Sequence, residues 1–145
     1  LTDGAAATII CEENYAKENN LNILGRIVST AVEGCDPDYM GLGPIGASKK
    51  ALMRANLSID KIDIFELNEA FASQSLACIK DLGIDQKKIN IDGGALALGH
   101  PLGATGARIT GKAADLLRRE NKKYALSTQC IGLGMGIATV IESVD

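Results

Sequence analysis

Strand-like and helix-like segments alternate along nearly the whole of this 145-residue chain. Short runs rich in apolar and β-branched residues predict strands at 5–11, 23–32, 62–67, 89–91, 124–128 and 136–141. Polar or amphipathic stretches between them predict helices at 12–19, 47–56, 70–82 and 103–120. Such alternation is typical of an α/β fold, in which helices are layered on a sheet.

The composition is that of a globular protein without a membrane anchor. Hydrophobic residues make up 46% of the chain and charged residues 23%, and the length suffices for one domain with a buried core. The longest apolar runs are far shorter than a transmembrane helix requires, and no secretory signal opens the sequence. Because the sequence begins at Leu1 rather than at a methionine, we expect a fragment, a processed piece or an excised domain.

Charge and cysteine spacing argue against two further classes of function. The net charge is −3 and the chain has no Trp, whereas nucleic-acid-binding surfaces need clustered Lys and Arg and usually stacking aromatics. The four cysteines lack C-x-x-C spacing and there is one histidine, so we expect no metal site. Nothing indicates secretion, and we therefore expect a cytoplasmic protein with reduced thiols.

The single histidine, His100, lies in the glycine-dense stretch NIDGGALALGHPLGATGAR at residues 90–108. Such a cluster needs a reason, because glycine costs conformational entropy on folding. One interpretation is a histidine packed in a glycine-rich turn. The other is an imidazole beside which the glycines let a ligand approach closely, with Pro101 orienting the ring by restricting the backbone of His100.

A second candidate is Cys130, which opens the segment CIGLGMG at residues 130–136. A cysteine of this kind is commonly an inert part of the core, as we expect for Cys11 and Cys78. The glycines that alternate after Cys130, however, can present main-chain N–H groups to an oxyanion. A thiol and an imidazole in such surroundings are suited to acyl transfer or to proton transfer at carbon.

The third candidate is Asn68 in the segment ELNEAFA at residues 66–72, at a predicted strand-to-helix junction. Helix capping is one explanation, since Asn is a good N-cap and Glu69 suits a first helical turn. Capping does not specify the whole string, however. The carboxyl end of a strand is also where α/β sheets bind ligands, so a functional amide is the alternative.

Two glycine motifs match phosphate-binding loops only in part. GLGPIG at residues 41–46 fits G-x-G-x-x-G, but no strand directly precedes it, and we interpret it as a turn-forming loop. GARITGKA at residues 106–113 is nearly a Walker A loop. It has Ala113 where Ser or Thr would hold magnesium, and it lies within a predicted helix.

Taken together and in this order, ELNEAFA, NIDGGALALGHPLGATGARI and CIGLGMGIATVIE resemble the C-terminal half of the thiolase family. The opening DGAAATIICEENYAKE is similar to the start of that half, so residues 1–145 are expected to form one thiolase C-terminal domain. The resemblance implies a mixed five-stranded sheet layered with helices, packed against a similar N-terminal half about a pseudo-two-fold axis. The nucleophilic cysteine of the family lies in that other half, and nothing in this chain takes its role.

The resemblance also implies roles for single residues. His100, in the GHP motif, would activate the nucleophile and help form an oxyanion hole in which Asn68 positions a water. Cys130 would be the acid or base that moves the α-proton of an acyl-CoA. The backbone N–H of Gly132 would contribute to a second oxyanion hole.

The implied activity is reversible acyl transfer between coenzyme A thioesters, with no tightly bound cofactor. Ala70 and Phe71 match positions that line the family's pantetheine tunnel. The ending CIGLGMGIATVIE looks most like acetyl-CoA acetyltransferases, which favours condensation of two acetyl-CoA to acetoacetyl-CoA and CoA. Thiolysis of longer 3-ketoacyl-CoA is the alternative. Expected partners are the acyl-CoA substrate, the N-terminal half and further copies in a dimer or tetramer, so the isolated chain should be inactive.

Two interpretations from other classes remain open. One is a non-catalytic assembly or interaction domain with a vestigial site, although the presence of Asn68, His100 and Cys130 argues against decay. The other is a related condensing enzyme such as a ketoacyl synthase, but those usually pair two histidines and this chain has one. Without the partner half an apolar face would be uncovered, so we expect the isolated chain to self-associate.

Overall fold

Four strands of the computed structural model, which describes residues 2–144, form one mixed sheet. They are β1 (Arg26–Gly34), β2 (Ile64–Leu67), β3 (Tyr124–Ile131) and β4 (Met135–Glu142). The order is β1-β4-β3-β2, with β4 antiparallel to both neighbours and β2 parallel to β3. The α/β class and the mixed sheet are confirmed, but the sheet has four strands rather than five. The predicted strand at 89–91 contributes only one bridge, from Ile89 to Phe65.

The helices are α1 (Glu13–Glu18), α2 (Gly43–Ala55), α3 (Ala72–Leu82), α4 (Ala95–Leu98) and α5 (Leu102–Arg119). Short 3₁₀ turns lie at Pro37–Leu42, Ile59–Lys61 and Gln86–Lys88. Between residues 2 and 144, no helix is long and apolar enough to cross a membrane.

The helix bounds decide how the two glycine motifs are placed. The segment at 41–46 spans the start of α2, and the segment at 106–113 lies inside α5. Neither motif therefore forms a phosphate-binding loop directly after a strand.

Helices cover both faces of the sheet. Successive residues of a strand point to opposite sides, so each strand contributes side chains to two buried layers. On the face where α2 packs, the buried residues include Ala47, Ala51, Leu52, Phe65, Leu126 and Val140. On the face where α5 packs they are Ile64, Ala113, Leu116, Leu117, Ala125 and Ile141. The sheet is thus sandwiched between helices, and the edge at the carboxyl ends of β2 and β3 stays accessible.

The strand predicted at residues 5–11 is wrong. These residues have no regular secondary structure, and Ile9 and Ile10 are 87% and 72% exposed. The segment runs beside α5, with Thr8 close to Gly111 on the side of that helix turned away from its buried residues. A run of β-branched residues favours extended backbone, but a strand also needs a hydrogen-bonded neighbour, and the sheet lies across α5. Cys11 is accordingly exposed, contrary to expectation, whereas Cys78 is buried as expected.

Helix α3 packs on the domain with only some of its apolar side chains. Phe71 precedes the helix and is 62% exposed, and Leu76 is also exposed. The buried side consists of Gln74, Ser75, Cys78 and Leu82. Apolar residues lie on more than one side of this helix, so its sequence pattern alone did not identify the side that packs on the domain.

Candidate active site

Three of the predicted site residues lie at one edge of the sheet. Asn68 directly follows β2, and its backbone N–H donates to the carbonyl of Thr128 on β3 at 2.9 Å. Cys130 lies two residues further along β3, and Gly132 lies in the turn that follows this strand. Because β2 and β3 are parallel, their carboxyl ends meet there. The carboxyl edge of these strands is where α/β sheets commonly bind ligands, so a ligand site at this edge stays a prediction.

The structure brings Asn68 and His100 into contact although 32 residues separate them in sequence. The Asn68 side chain is fully buried, and its Nδ2 lies 3.2 Å from the His100 Nε2. Helix α3 begins four residues after Asn68, with Phe71 at the N-cap position. The helix-capping explanation for Asn68 is therefore wrong, and the amide instead meets an imidazole.

A hydrogen-bond clamp holds the two loops that carry Asn68 and His100 together. The Glu69 carboxylate accepts from the Asn90 Nδ2 at 2.8 Å and from the backbone N–H of Leu96 at 2.9 Å. The Asn90 side chain also bonds both backbone groups of Leu67. A Cβ on Gly94 would lie 2.4 Å from the Glu69 carboxyl carbon, so a larger residue here would displace this carboxylate from its hydrogen bonds. The sequence pattern did not identify this clamp.

The second imidazole nitrogen is also bonded. The His100 Nδ1 lies 2.7 Å from the Thr105 Oγ1, in the first turn of α5. Thr105 is fully buried and His100 is half-buried. The ring is therefore held through both nitrogens, by groups from two different parts of the fold. Sequence reasoning missed Thr105, and its position five residues after His100 in GHPLGAT is the only signal that could have suggested it.

Cys130 presents a half-buried thiol at the same edge. Burial raises its pKa above the ordinary value, opposed in part by a backbone hydrogen bond. The turn after it contains Leu133 and Gly134 with successive positive φ values of 66° and 71°, a feature of type I′ hairpin turns. Gly132 is exposed, with open space around its Cα. The turn is closed on its other side by a 2.7 Å bond from the Cys35 N–H to the carbonyl of Gly134.

A family model described as "Thiolase, C-terminal domain" matches residues 21–143. This chain belongs to the thiolase family. The 3-ketoacyl-CoA thiolase of Aliivibrio salmonicida (strain LFI1238) is 57% identical over 145 residues, which cover 98% of this chain and 38% of that relative. The chain thus spans about two fifths of the length of that curated relative.

Solved thiolase structures agree with this fold. The crystal structure of human mitochondrial 3-ketoacyl-CoA thiolase in complex with CoA superposes with a TM-score of 0.89 at 49% identity, covering 92% of this chain and 34% of that one. The Bacillus anthracis acetyl-CoA acetyltransferase gives a TM-score of 0.88 at 43% identity, covering 91% and 34%. The resemblance of the three motifs to thiolases is therefore confirmed, together with the α/β fold.

In this thiolase chain, the two residues predicted to line a pantetheine tunnel follow Asn68 immediately. Ala70 is half-buried and Phe71 presents its ring to the surface. Both lie on the loop between β2 and α3, on the strand edge that carries the candidate catalytic groups. Their role in binding coenzyme A stays a prediction.

The chemistry open to this thiolase site is proton transfer and oxyanion stabilisation. Within residues 2–144, no group of three or more His, Cys, Asp or Glu side chains is placed to hold a metal ion. The site offers an imidazole oriented at both nitrogens, a protonated thiol, a buried amide and an exposed turn with a free glycine. These groups suit general acid–base chemistry and the stabilisation of a developing oxyanion.

Proposed function

We propose that this chain supplies the acid–base side of a thiolase active site that cleaves 3-ketoacyl-CoA with coenzyme A. The products are acetyl-CoA and an acyl-CoA that is two carbons shorter. The contact between Asn68 and His100, at the edge that also carries Cys130, is the observation that supports this function. The name of the bacterial relative at 57% identity supports thiolysis of longer substrates over the acetyl-CoA condensation favoured by the sequence ending.

The nucleophile is proposed to come from an N-terminal thiolase half. The chain covers 38% of its bacterial relative, and the family model begins only at residue 21. Residues 2–11 lie along the outer side of α5 with Ile9 and Ile10 exposed. An extended apolar segment on the uncovered side of a helix suits burial beneath a second half, and this supports assembly with that half.

The first half-reaction begins with the thiol of that nucleophile. Its proton passes to the His100 Nε2, and its sulfur attacks the 3-keto carbon of the substrate. The bond between C2 and C3 then breaks, leaving an acyl thioester on the nucleophile and the enolate of acetyl-CoA. The Cys130 thiol donates its proton to C2 of that enolate, which releases acetyl-CoA.

The second half-reaction restores both groups. The Cys130 thiolate takes the proton of the incoming coenzyme A thiol, whose sulfur attacks the acyl thioester. The nucleophile leaves and recovers its proton from His100, while the shortened acyl-CoA departs. Donors at the Gly132 turn and beside Asn68 would meet the negative charge that develops on the two substrate oxygens, each contributing on the order of 3 kcal/mol to lowering the barrier.

The protonation state of Cys130 suits the start of the reaction in either direction. In thiolysis the Cys130 thiol first protonates the enolate, and in the reverse condensation it first protonates the departing coenzyme A thiolate. Burial raises its pKa, which favours the thiol form at neutral pH. The preference for thiolysis therefore rests on the name of the bacterial relative.

The test is thiolysis by this chain assembled with an N-terminal thiolase half, using 3-ketoacyl-CoA substrates of increasing length. We expect turnover of long substrates, and a loss of about 100-fold or more in kcat for Cys130→Ala and His100→Ala. Cys35→Ala, a half-buried cysteine beside the same turn, is the matched control and should keep its rate. Full activity in both site variants would instead favour a vestigial site, and turnover of acetoacetyl-CoA alone would favour an acetyl-CoA acetyltransferase.

A further inference from the structure

We propose that Thr105 is a positioning residue that holds His100 as the tautomer protonated at Nδ1, so that Nε2 carries no proton in the neutral ring and can act as a base. The need for a base at Nε2 rests on the proposed function. The position of the proton follows from the hydrogen bonds of two neighbours, and each of them assigns it independently.

The first assignment comes from the Thr105 hydroxyl. The Oγ1 lies 3.1 Å from the carbonyl oxygen of Pro101, which can only accept a hydrogen bond. The single hydroxyl hydrogen is therefore donated to Pro101. The 2.7 Å contact between the Oγ1 and the His100 Nδ1 must then be donated by the ring, which places a proton on Nδ1.

The second assignment comes from Asn68 on the other side of the ring. Its Nδ2 carries only donors and lies 3.2 Å from the His100 Nε2. In this orientation of the amide, whose Oδ1 is buried and has no hydrogen-bond partner within residues 2–144, Nε2 accepts and carries no proton in the neutral ring. Asn68 follows β2 and Thr105 belongs to α5, so two separate elements specify the same tautomer.

The geometry around Thr105 is rigid. The Pro101 carbonyl also accepts from the backbone N–H groups of Ala104 at 2.9 Å and Thr105 at 3.1 Å, which fixes the first turn of α5. Thr105 is fully buried, so bulk water does not compete for its hydroxyl group. Nδ1 carries a proton in both the neutral ring and the imidazolium. The bond to Thr105 can therefore persist while Nε2 gains and loses its proton, and the ring need not turn during catalysis.

The chain suits a direct measurement, since it has one histidine. In the chain with ¹⁵N-labelled imidazole, nitrogen–proton correlation spectra report which ring nitrogen carries the proton. Above the histidine titration we expect the Nδ1-protonated form in about tenfold excess, as one well-made hydrogen bond can provide, with its proton protected from solvent exchange. Predominance of the Nε2-protonated form, or an Nδ1 proton that exchanges as fast as in free imidazole, would overturn the proposal.

Variants of Thr105 separate positioning from folding. Thr105→Val removes the acceptor but keeps the shape, so the excess of the Nδ1-protonated form should fall several-fold, to the level that Asn68 alone supports, whereas Thr105→Ser should retain it. Thr110→Val, which removes a second α5 hydroxyl bonded to Ser127, is the matched control and should leave the tautomer unchanged. An unchanged tautomer in Thr105→Val would refute the role of Thr105. The backbone amide spectrum shows whether Thr105→Val folds. If it does not, the tautomer and the Nδ1 proton exchange rate of the wild-type chain decide whether the proposal holds.

Kinetics add a readout that a merely structural role would not give. In the assembled enzyme, Thr105→Val should lower kcat about tenfold with KM unchanged, and Thr105→Ser should restore kcat. A rise in KM alone would contradict a role in orienting the base. The spectra need no substrate, so an assigned Nδ1 tautomer without any thiolysis would refute the proposed function and leave the Thr105 assignment standing.

Discussion

Glu66 is a carboxyl group that the fold buries without satisfying it completely. It lies on β2 opposite Ser127, is 1% exposed, and within residues 2–144 its Oε1 has no hydrogen-bond partner. Burial raises its pKa to about 7, although the cationic side chains of Arg108 and Lys112 oppose the rise. A buried carboxyl that keeps its proton near neutral pH makes stability depend on pH.

The direction follows from proton linkage. Between the ordinary pKa of 4.5 and about 7, the folded chain holds a proton on Glu66 that the unfolded chain has released. The free energy of unfolding therefore falls as pH rises through this window, by about 3 kcal/mol, and levels off above it. Glu66→Gln should abolish this fall, as measured by urea unfolding at a series of pH values. Glu18→Gln, an exposed glutamate of α1, is the control and should behave as wild type, and a wild-type profile without the fall would contradict the prediction.

The sequence pointed to candidate catalytic side chains more readily than to the residues that orient them. His100, Cys130 and Asn68 were predicted because an imidazole, a thiol and an amide in glycine-rich surroundings suit acid–base chemistry. Thr105 and Asn90 act through other side chains, and Asn90 does so across more than twenty residues of sequence. Such contacts leave no local pattern, so the fold had to be known before they could be recognised.

At the scale of secondary structure, α2 begins where two backbones nearly touch. A Cβ on Gly43 would lie 2.5 Å from the backbone of Met135 and Gly136 on β4. Helix α2 starts earlier than predicted because Pro44 occupies its first turn, where proline is tolerated. The GLGPIG motif therefore serves close packing of a helix end on the sheet, which explains its glycines without a bound phosphate.

Gly43→Ala should therefore destabilise the chain. Neither backbone segment can move without shifting a helix or a strand, so we expect a loss of about 2–3 kcal/mol in the free energy of unfolding. Gly103→Ala is the matched control, because a Cβ there would meet no atom within 4 Å and alanine favours a helix by about 0.5 kcal/mol or more. Urea unfolding of both variants checks the pair, and equal stabilities would refute the close approach.

Helices and strands that pack against other elements of this chain were predicted well. Segments that would need an adjacent strand to form a strand themselves were predicted poorly. Helix α5 and the hairpin of β3 and β4 match their predicted positions within a few residues. The helical period of apolar residues in α5, and the alternation of apolar and polar residues in the strands, reflect which side chains are buried within this chain. The runs at 5–11 and 89–91 have strand-like composition, but strand formation depends on an adjacent strand. Sequence pattern reports a preference for extended backbone and cannot supply that neighbour.

For the molecule as a whole, the segment at residues 2–11 runs beside α5, with Thr8 close to Gly111 on the side of the helix turned away from its buried residues. Several large apolar side chains are exposed on this segment and on the neighbouring loop and helix start: Ile9, Ile10, Leu96, Leu98 and Leu102. The thiolase relative is more than twice as long as this chain. A surface of this kind is typical of a face that is buried in a larger assembly.

The isolated chain should therefore self-associate through this face, with apparent mass rising with concentration in light scattering. Ile9→Lys with Ile10→Lys adds charge to the extended segment and should shift the chain toward monomer, because burying an unpaired charge opposes association. Met53→Lys changes an equally exposed apolar residue on α2 and should leave association unchanged, since α2 packs on the opposite face of the sheet.

Binding of an N-terminal thiolase half should suppress self-association of the wild-type chain, because both would bury the same surface. A concentration-independent monomer would show that residues 2–11 do not mark an interface.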